Sequence, residues 1–141
     1  MKLSIVISTY NNSNSLIRTL ESVVAQDADR SLWECIVVNN NCTDDTALRV
    51  SQFIEEHNSV NIKLVEEPKQ GLSFARNCGI AKSTGEIIAF IDDDETINKE
   101  FVSARATIEE SLGQLQEELP EADRYYIEIN GANSSADLYV G

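Results

Sequence analysis

Glu86-Ile87-Ile88-Ala89-Phe90-Ile91-Asp92-Asp93-Asp94-Glu95 is the stretch whose reading decides the fold. Its apolar residues run without alternation, the pattern of a strand buried on both faces of a parallel sheet. The run stops at three aspartates and a glutamate. Adjacent carboxylates repel, and ionising them together in a cleft is unfavourable unless a cation is present. Hard divalent cations take oxygen ligands, and Mg²⁺ uses one or two carboxylates plus substrate phosphates. Ligands of open α/β sheets bind beyond the carboxyl ends of the strands. Asp92–Asp94 therefore read as a metal-and-phosphate site, with a solvated acidic turn as the alternative.

Upstream of this stretch, strands and helices alternate. Leu3 to Ser8 is apolar and β-rich, and the polar turn Thr9 to Asn14 leads into a helix with Leu16, Ile17, Leu20, Val23 and Val24 at helical spacing. Glu34 to Val38 is a second strand, followed by the polar turn Asn39 to Asp45. Ala47, Val50, Phe53 and Ile54 mark a second helix, with Thr43 or Asp44 as its cap. Asn61 to Val65 is a short third strand, and a third helix spans roughly Leu72 to Lys82. The order β-α-β-α-β-α-β predicts a mostly parallel, Rossmann-like sheet flanked by helices, with right-handed crossovers. The polar segments after strands one, two and four then gather at one sheet edge, where a nucleotide would lie.

Downstream, the character changes. Phe101, Ala104, Ile108, Leu112, Leu115 and Leu119 are spaced three or four apart, which predicts an amphipathic helix of about five turns. Covering the sheet is the favoured role of that helix, and pairing in a homodimer through 101–119 is the alternative. Tyr125 to Ile129 and Leu138 to Val140 read as strands.

The formal net charge of −13 argues against nonspecific binding to nucleic acid or an anionic membrane surface. An anionic substrate would need a bridging cation. The three cysteines, Cys35, Cys42 and Cys78, form no C-x-x-C pair, so neither a disulfide framework nor a zinc site is suggested. A reducing, cytoplasmic location is expected, with no signal peptide and no transmembrane segment. His57, near the end of the second helix, suits a helix C-terminus and reads as structural.

Four segments together resemble the nucleotide-binding half of family 2 glycosyltransferases, which have the A-type glycosyltransferase (nucleotide-diphospho-sugar transferase-like) fold. They are Ser4-Ile5-Val6-Ile7-Ser8-Thr9-Tyr10-Asn11, Val37-Val38-Asn39-Asn40-Asn41-Cys42-Thr43-Asp44-Asp45-Thr46, Gly71-Leu72-Ser73-Phe74-Ala75-Arg76-Asn77-Cys78-Gly79-Ile80, and Phe90-Ile91-Asp92-Asp93-Asp94 as the D-x-D motif. The resemblance covers residues 1–104. It implies a donor-binding domain there, and 105–141 is then an extension packing on the same domain or on a partner.

The resemblance also implies the chemistry: metal-dependent, inverting hexosyl transfer from a nucleoside diphosphate sugar, a UDP-sugar first, to a saccharide or lipid-linked acceptor. Asp94, with Asp92, would hold Mn²⁺ or Mg²⁺. Asp92 and Asp93 would lie near the ribose and the metal's water shell. Thr9 and Tyr10 would line the base and ribose pocket, and Arg76 and Asn77 would face the donor. Asn39 and Asn40 stand where the family has an acid that accepts a hydrogen bond from uracil. An amide oxygen accepts the same bond without charge. The family's proline after D-x-D is absent from Glu95 to Lys99, and nothing after Ala104 matches. The general base is unassigned, with Glu128 and Asp137 as candidates by chemistry alone. A noncatalytic nucleotide-sugar-binding or interaction module, or an incomplete fragment of such an enzyme, is the alternative.

Overall fold

The computed structural model describes residues 2–103, 125–130 and 135–140. The elements run β1 (Leu3–Thr9), α1 (Ser13–Val24), a 3₁₀ turn (Arg30–Leu32), β2 (Trp33–Asn39), α2 (Thr46–Glu56), β3 (Ile62–Glu66), α3 (Leu72–Lys82), β4 (Ile87–Asp92), β5 (Tyr125–Asn130) and β6 (Ser135–Val140). The strands form one sheet in the order β3-β2-β1-β4-β5-β6. β1 to β5 are parallel, and β6 returns antiparallel on β5.

The alternating reading of the first hundred residues matches this architecture, and the reason is burial. Ile87, Ile88, Ala89 and Ile91 on β4 are all buried, as are Leu3, Ile5, Val6 and Ile7 on β1. Successive strand residues point to opposite faces, so these runs serve two separate cores. Ile5, Ile7, Val37 and Ala89 pack against Leu16, Leu20 and Val23 of α1 and Val50 and Phe53 of α2. Val6, Ile36, Val38 and Ile88 face α3 through Ala75, with Cys78 and Ile80 beside it.

Helices on both faces follow from the strand order. The chain steps outward from β1 to β2 to β3, then crosses back to place β4 on the other side of β1. Crossovers of one hand that travel in opposite directions lie on opposite faces. The order reverses between β1 and β4, and such a switch point leaves a crevice at the carboxyl ends of the strands.

α3 approaches the sheet closely because of Gly79. A Cβ there would lie 2.3 Å from Val6 Cγ1. At the opposite end of the sheet from the crevice, the fully buried Glu34 on β2 accepts hydrogen bonds from Ser4 Oγ at 2.7 Å, Thr84 N at 2.6 Å and Thr84 Oγ1 at 2.9 Å. Lys63 Nζ lies 3.6 Å from its other oxygen and Lys2 Nζ 3.9 Å. Burial alone would push the Glu34 carboxyl up. The hydrogen bonds from Ser4 and Thr84, with the charge of Lys2, outweigh it and hold the group below the ordinary carboxylate range.

Two expectations meet the structure differently. Thr43 does not cap α2. Asp44, two residues before the helix, accepts from Thr46 N through Oδ1 at 3.0 Å, while Asp45 occupies the cap position without a side-chain bond. The helix expected from Phe101 does not begin there. Phe101–Ser103 form a turn, held by Gln26 Oε1 accepting from Val102 N at 2.9 Å, and the rest of that expected helix lies outside the described residues. Among the described residues no helix is long and apolar enough to cross a membrane.

Candidate functional site

The parallel register sets the strand ends level. Thr9 lies beside Asn39, and Ser8 lies beside Asp92. Beyond these ends is a cleft of about 450 Å³, lined by Ser8, Thr9, Tyr10, Asn11, Asn12, Asn40, Leu72, Asp92, Asp93 and Asp94. That volume lies within the usual span for small-molecule sites, roughly 300–1,000 Å³.

Four consecutive acids at the end of β4 do not share one role. Both oxygens of Asp93 are occupied by neutral donors, Thr9 Oγ1 at 2.9 Å and Asn12 Nδ2 at 3.1 Å. Thr19 Oγ1 donates to the Asp93 carbonyl at 3.1 Å, which ties the same turn to α1. The other three acids converge. Glu95 N donates to Asp92 O, and this tight turn brings one carboxylate oxygen each of Asp92, Asp94 and Glu95 within 4.8 Å of one another.

Glu95 is the least exposed of the three. Burial first, then the charge of Asp92, a hydrogen bond shared with Asp92 and the charge of Asp94 push its carboxyl above the ordinary range. Glu95 Oε2 is buried and has no hydrogen-bond partner among the described residues. An orphaned carboxylate oxygen beside two further carboxylates is a donor set suited to a hard divalent cation.

The loops after β1 and β2 are stitched together. Asn11 adopts φ 46° and Asn41 φ 66°, left-handed conformations that asparagine tolerates better than most residues. Asn11 Oδ1 accepts from Thr43 N at 2.8 Å, and its Nδ2 donates to Thr43 Oγ1 at 3.1 Å. Asn39 Oδ1 accepts from Cys42 N at 2.9 Å. Asn40 Nδ2 donates to the carbonyls of Glu67 and Lys69, while its Oδ1 accepts from Gly71 N.

Thr9, Tyr10, Asn40, Asp92, Asp93 and Asp94 thus come together around one cleft. Asn39, the buried last residue of β2, does not line the cleft; its Oδ1 holds the turn through Cys42 N. Arg76 lines a small crevice next to it with Ser8, Leu72 and Asp92, its guanidinium 4.7 Å from the centre of the Phe90 ring. Phe90 in turn stacks on Tyr126, with ring centres 6.2 Å apart. Asn77 is exposed on α3 and lines neither space. The backbone register sets Glu128 beside Phe90 and opposite Asp137. His57 stacks on Phe53 at 4.1 Å.

Sequence reasoning passed over Asn12, Leu72 and Glu95. Glu95 had a signal, its place in the acid run. Asn12 and Leu72 had none beyond their neighbours in the motifs, because a turn residue and a helix-start leucine reach the cleft only through packing.

The model of the family "Glycosyl transferase family 2" matches residues 4–107. The glycosyltransferase AglE of Haloferax volcanii is 36% identical over 92 residues, which are 65% of this chain and 30% of that protein. The poly(ribitol-phosphate) beta-N-acetylglucosaminyltransferase TarS of Staphylococcus aureus is 33% identical over 114 residues, 78% of this chain and 19% of that one. Among solved structures, S. aureus TarS in complex with UDP-GlcNAc superposes with a TM-score of 0.65 at 28% identity, covering 83% of this chain and 32% of that chain. The mannosyltransferase PcManGT from Pyrobaculum calidifontis, in complex with GDP-Man and Mn²⁺, gives 0.71 at 27% identity, covering 74% and 31%. The chain spans a third or less of the length of these relatives.

Proposed function

Because the chain belongs to glycosyl transferase family 2, we propose that its cleft binds a nucleoside diphosphate sugar and that it serves hexosyl transfer to a hydroxyl acceptor. Over the matched region it has the nucleotide-binding architecture of the A-type glycosyltransferase fold. The observation that carries the proposal is the convergence of Glu95, with an orphaned oxygen, on Asp92 and Asp94 of the cleft wall.

These three acids would hold a divalent cation, Mn²⁺ or Mg²⁺. Such an ion, when bound, neutralises charge developing on a diphosphate leaving group. The remaining residues bind and orient. Tyr10 and Leu72, both about half exposed on the cleft wall, offer apolar surface to a base. Thr9 and Asn12 hold Asp93, and so keep its neighbours in place. Arg76, beside Asp92, adds positive charge near the acids. UDP-sugars are the first donors to test, since a TarS structure contains UDP-GlcNAc, and GDP-sugars are second. Inversion at the anomeric carbon is what membership of the resembled family implies.

Calorimetric titration of UDP, GDP and their sugars, with and without Mn²⁺, on the wild type and Asp94→Ala tests the donor site. Metal-dependent binding lost in Asp94→Ala supports it. A folded protein that binds no nucleotide in the presence of metal refutes it. Turnover with candidate acceptors then separates an enzyme from a binding module.

A further inference from the structure

We propose that Asn40 is a positioning residue for the donor, fixing the 67–71 loop and with it the Leu72 wall of the cleft, rather than a reader of the base. The inference rests on the donor-site reading above and deepens it.

The side chain of Asn40 is only 5% exposed, and both ends of its carboxamide are engaged with backbone. Nδ2 donates to Glu67 O at 3.0 Å and Lys69 O at 2.8 Å, and Oδ1 accepts from Gly71 N at 2.9 Å. Two carbonyls require donors and one N–H requires an acceptor, so the partners themselves orient the amide. Asn40 N donates to Thr9 O at 3.0 Å, which anchors the same residue to the end of β1.

The loop needs such a clamp. Pro68, Lys69 and Gln70 are exposed, and Gly71 adopts φ 145° and ψ 142°, a backbone region that is essentially restricted to glycine. Gly71 is the cap position of α3, and the next residue, Leu72, lines the cleft. Three hydrogen bonds to alternate residues of the loop set where that wall stands.

The residue type follows from the partners. Aspartate has the same size and could still accept from Gly71 N. Its ionised carboxylate would face the carbonyl oxygens of Glu67 and Lys69, where two donors now stand. The clamp and a base-reading role therefore predict opposite signs for Asn40→Asp. A carboxylate that accepted a base N–H would tighten nucleotide binding, whereas a broken clamp weakens it.

The experiment compares wild type, Asn40→Asp and Asn40→Ala, the uncharged alanine variant serving where the aspartate variant does not fold. UDP affinity is measured with saturating Mn²⁺, Mn²⁺ affinity without nucleotide, and amide exchange at Gly71 without any ligand. The expected result is a loss of UDP affinity of about tenfold or more in both variants, with faster exchange at Gly71 in Asn40→Ala and unchanged Mn²⁺ affinity in both. UDP binding by Asn40→Asp as tight as or tighter than wild type overturns the inference, as does unchanged exchange at Gly71 in Asn40→Ala. If the variants bind like wild type, only this inference fails. If folded wild type binds neither UDP nor GDP, the donor-site reading fails and the positioning role fails with it.

Discussion

Thr9 Oγ1 donates a 2.9 Å hydrogen bond to Asp93 Oδ2, joining two residues 84 positions apart in the chain. The bond links the end of β1 to the turn after β4 across the switch point of the sheet. It also divides the acid run. Asp93 is committed to Thr9 and Asn12, so Asp92, Asp94 and Glu95 are left to converge.

Thr9→Val keeps the shape of Thr9 and removes this donor. A part-buried carboxylate oxygen then loses a charge-assisted partner, at a cost of about 1–3 kcal/mol. Urea unfolding should show a lower midpoint in Thr9→Val, with Thr9→Ser close to wild type. Equal midpoints for valine and threonine would show that the bond contributes nothing.

The proposed metal site gives a second prediction. Glu95→Gln should weaken Mn²⁺ binding, measured by electron paramagnetic resonance without nucleotide, by at least about tenfold. Glu100→Gln, at an exposed acid outside the group, should leave it unchanged. Chelation with EDTA should abolish nucleotide binding by the wild type. Undiminished Mn²⁺ affinity in Glu95→Gln would exclude Glu95 as a ligand.

Helix packing supplies a third. Gly79→Ala places a methyl 2.3 Å from Val6 Cγ1 and should destabilise the fold by about 1–3 kcal/mol through overpacking. Val6→Ala in the same chain vacates that space. The double variant should then be more stable than the sum of the two single losses predicts, and simple additivity would contradict the contact.

The pH dependence of stability tests Glu34. Its carboxyl is held below the ordinary range when folded, so it binds a proton less readily in the folded than in the unfolded chain. Its contribution is therefore fully present above the unfolded value, about 4.3, and is lost as pH falls through the lower folded value. Glu34→Gln should be less stable than wild type at neutral pH, and the gap should narrow on acidification below about pH 4. Urea midpoints across that window decide it, and a gap independent of pH would rule out the linkage.

Much of the fold was legible because it depends on local pattern. The unbroken apolar run of β4, the helical spacing of Leu16, Leu20 and Val23, and the polar turns between them specify elements whose burial leaves few arrangements. The acid run after β4 was legible as a candidate site, since clustered carboxylates at a strand end suit a cation. The division of labour within that run was not legible. Asp92, Asp93 and Asp94 are identical in sequence terms, and only their neighbours distinguish them.

By itself the sequence determined the strand and helix order, the buried strands, and the gathering of three polar loops at one sheet edge. These follow from hydrophobic burial, which is non-directional and needs only the right period. The tertiary structure alone decided that Asp93 is an anchor, that Glu95 joins Asp92 and Asp94, that Asn40 clamps a distant loop, and that Glu34 is a buried anion. Each of these rests on hydrogen bonds or charges between residues far apart in the chain. Such contacts are directional and short, so which atoms meet is settled only when the elements have packed.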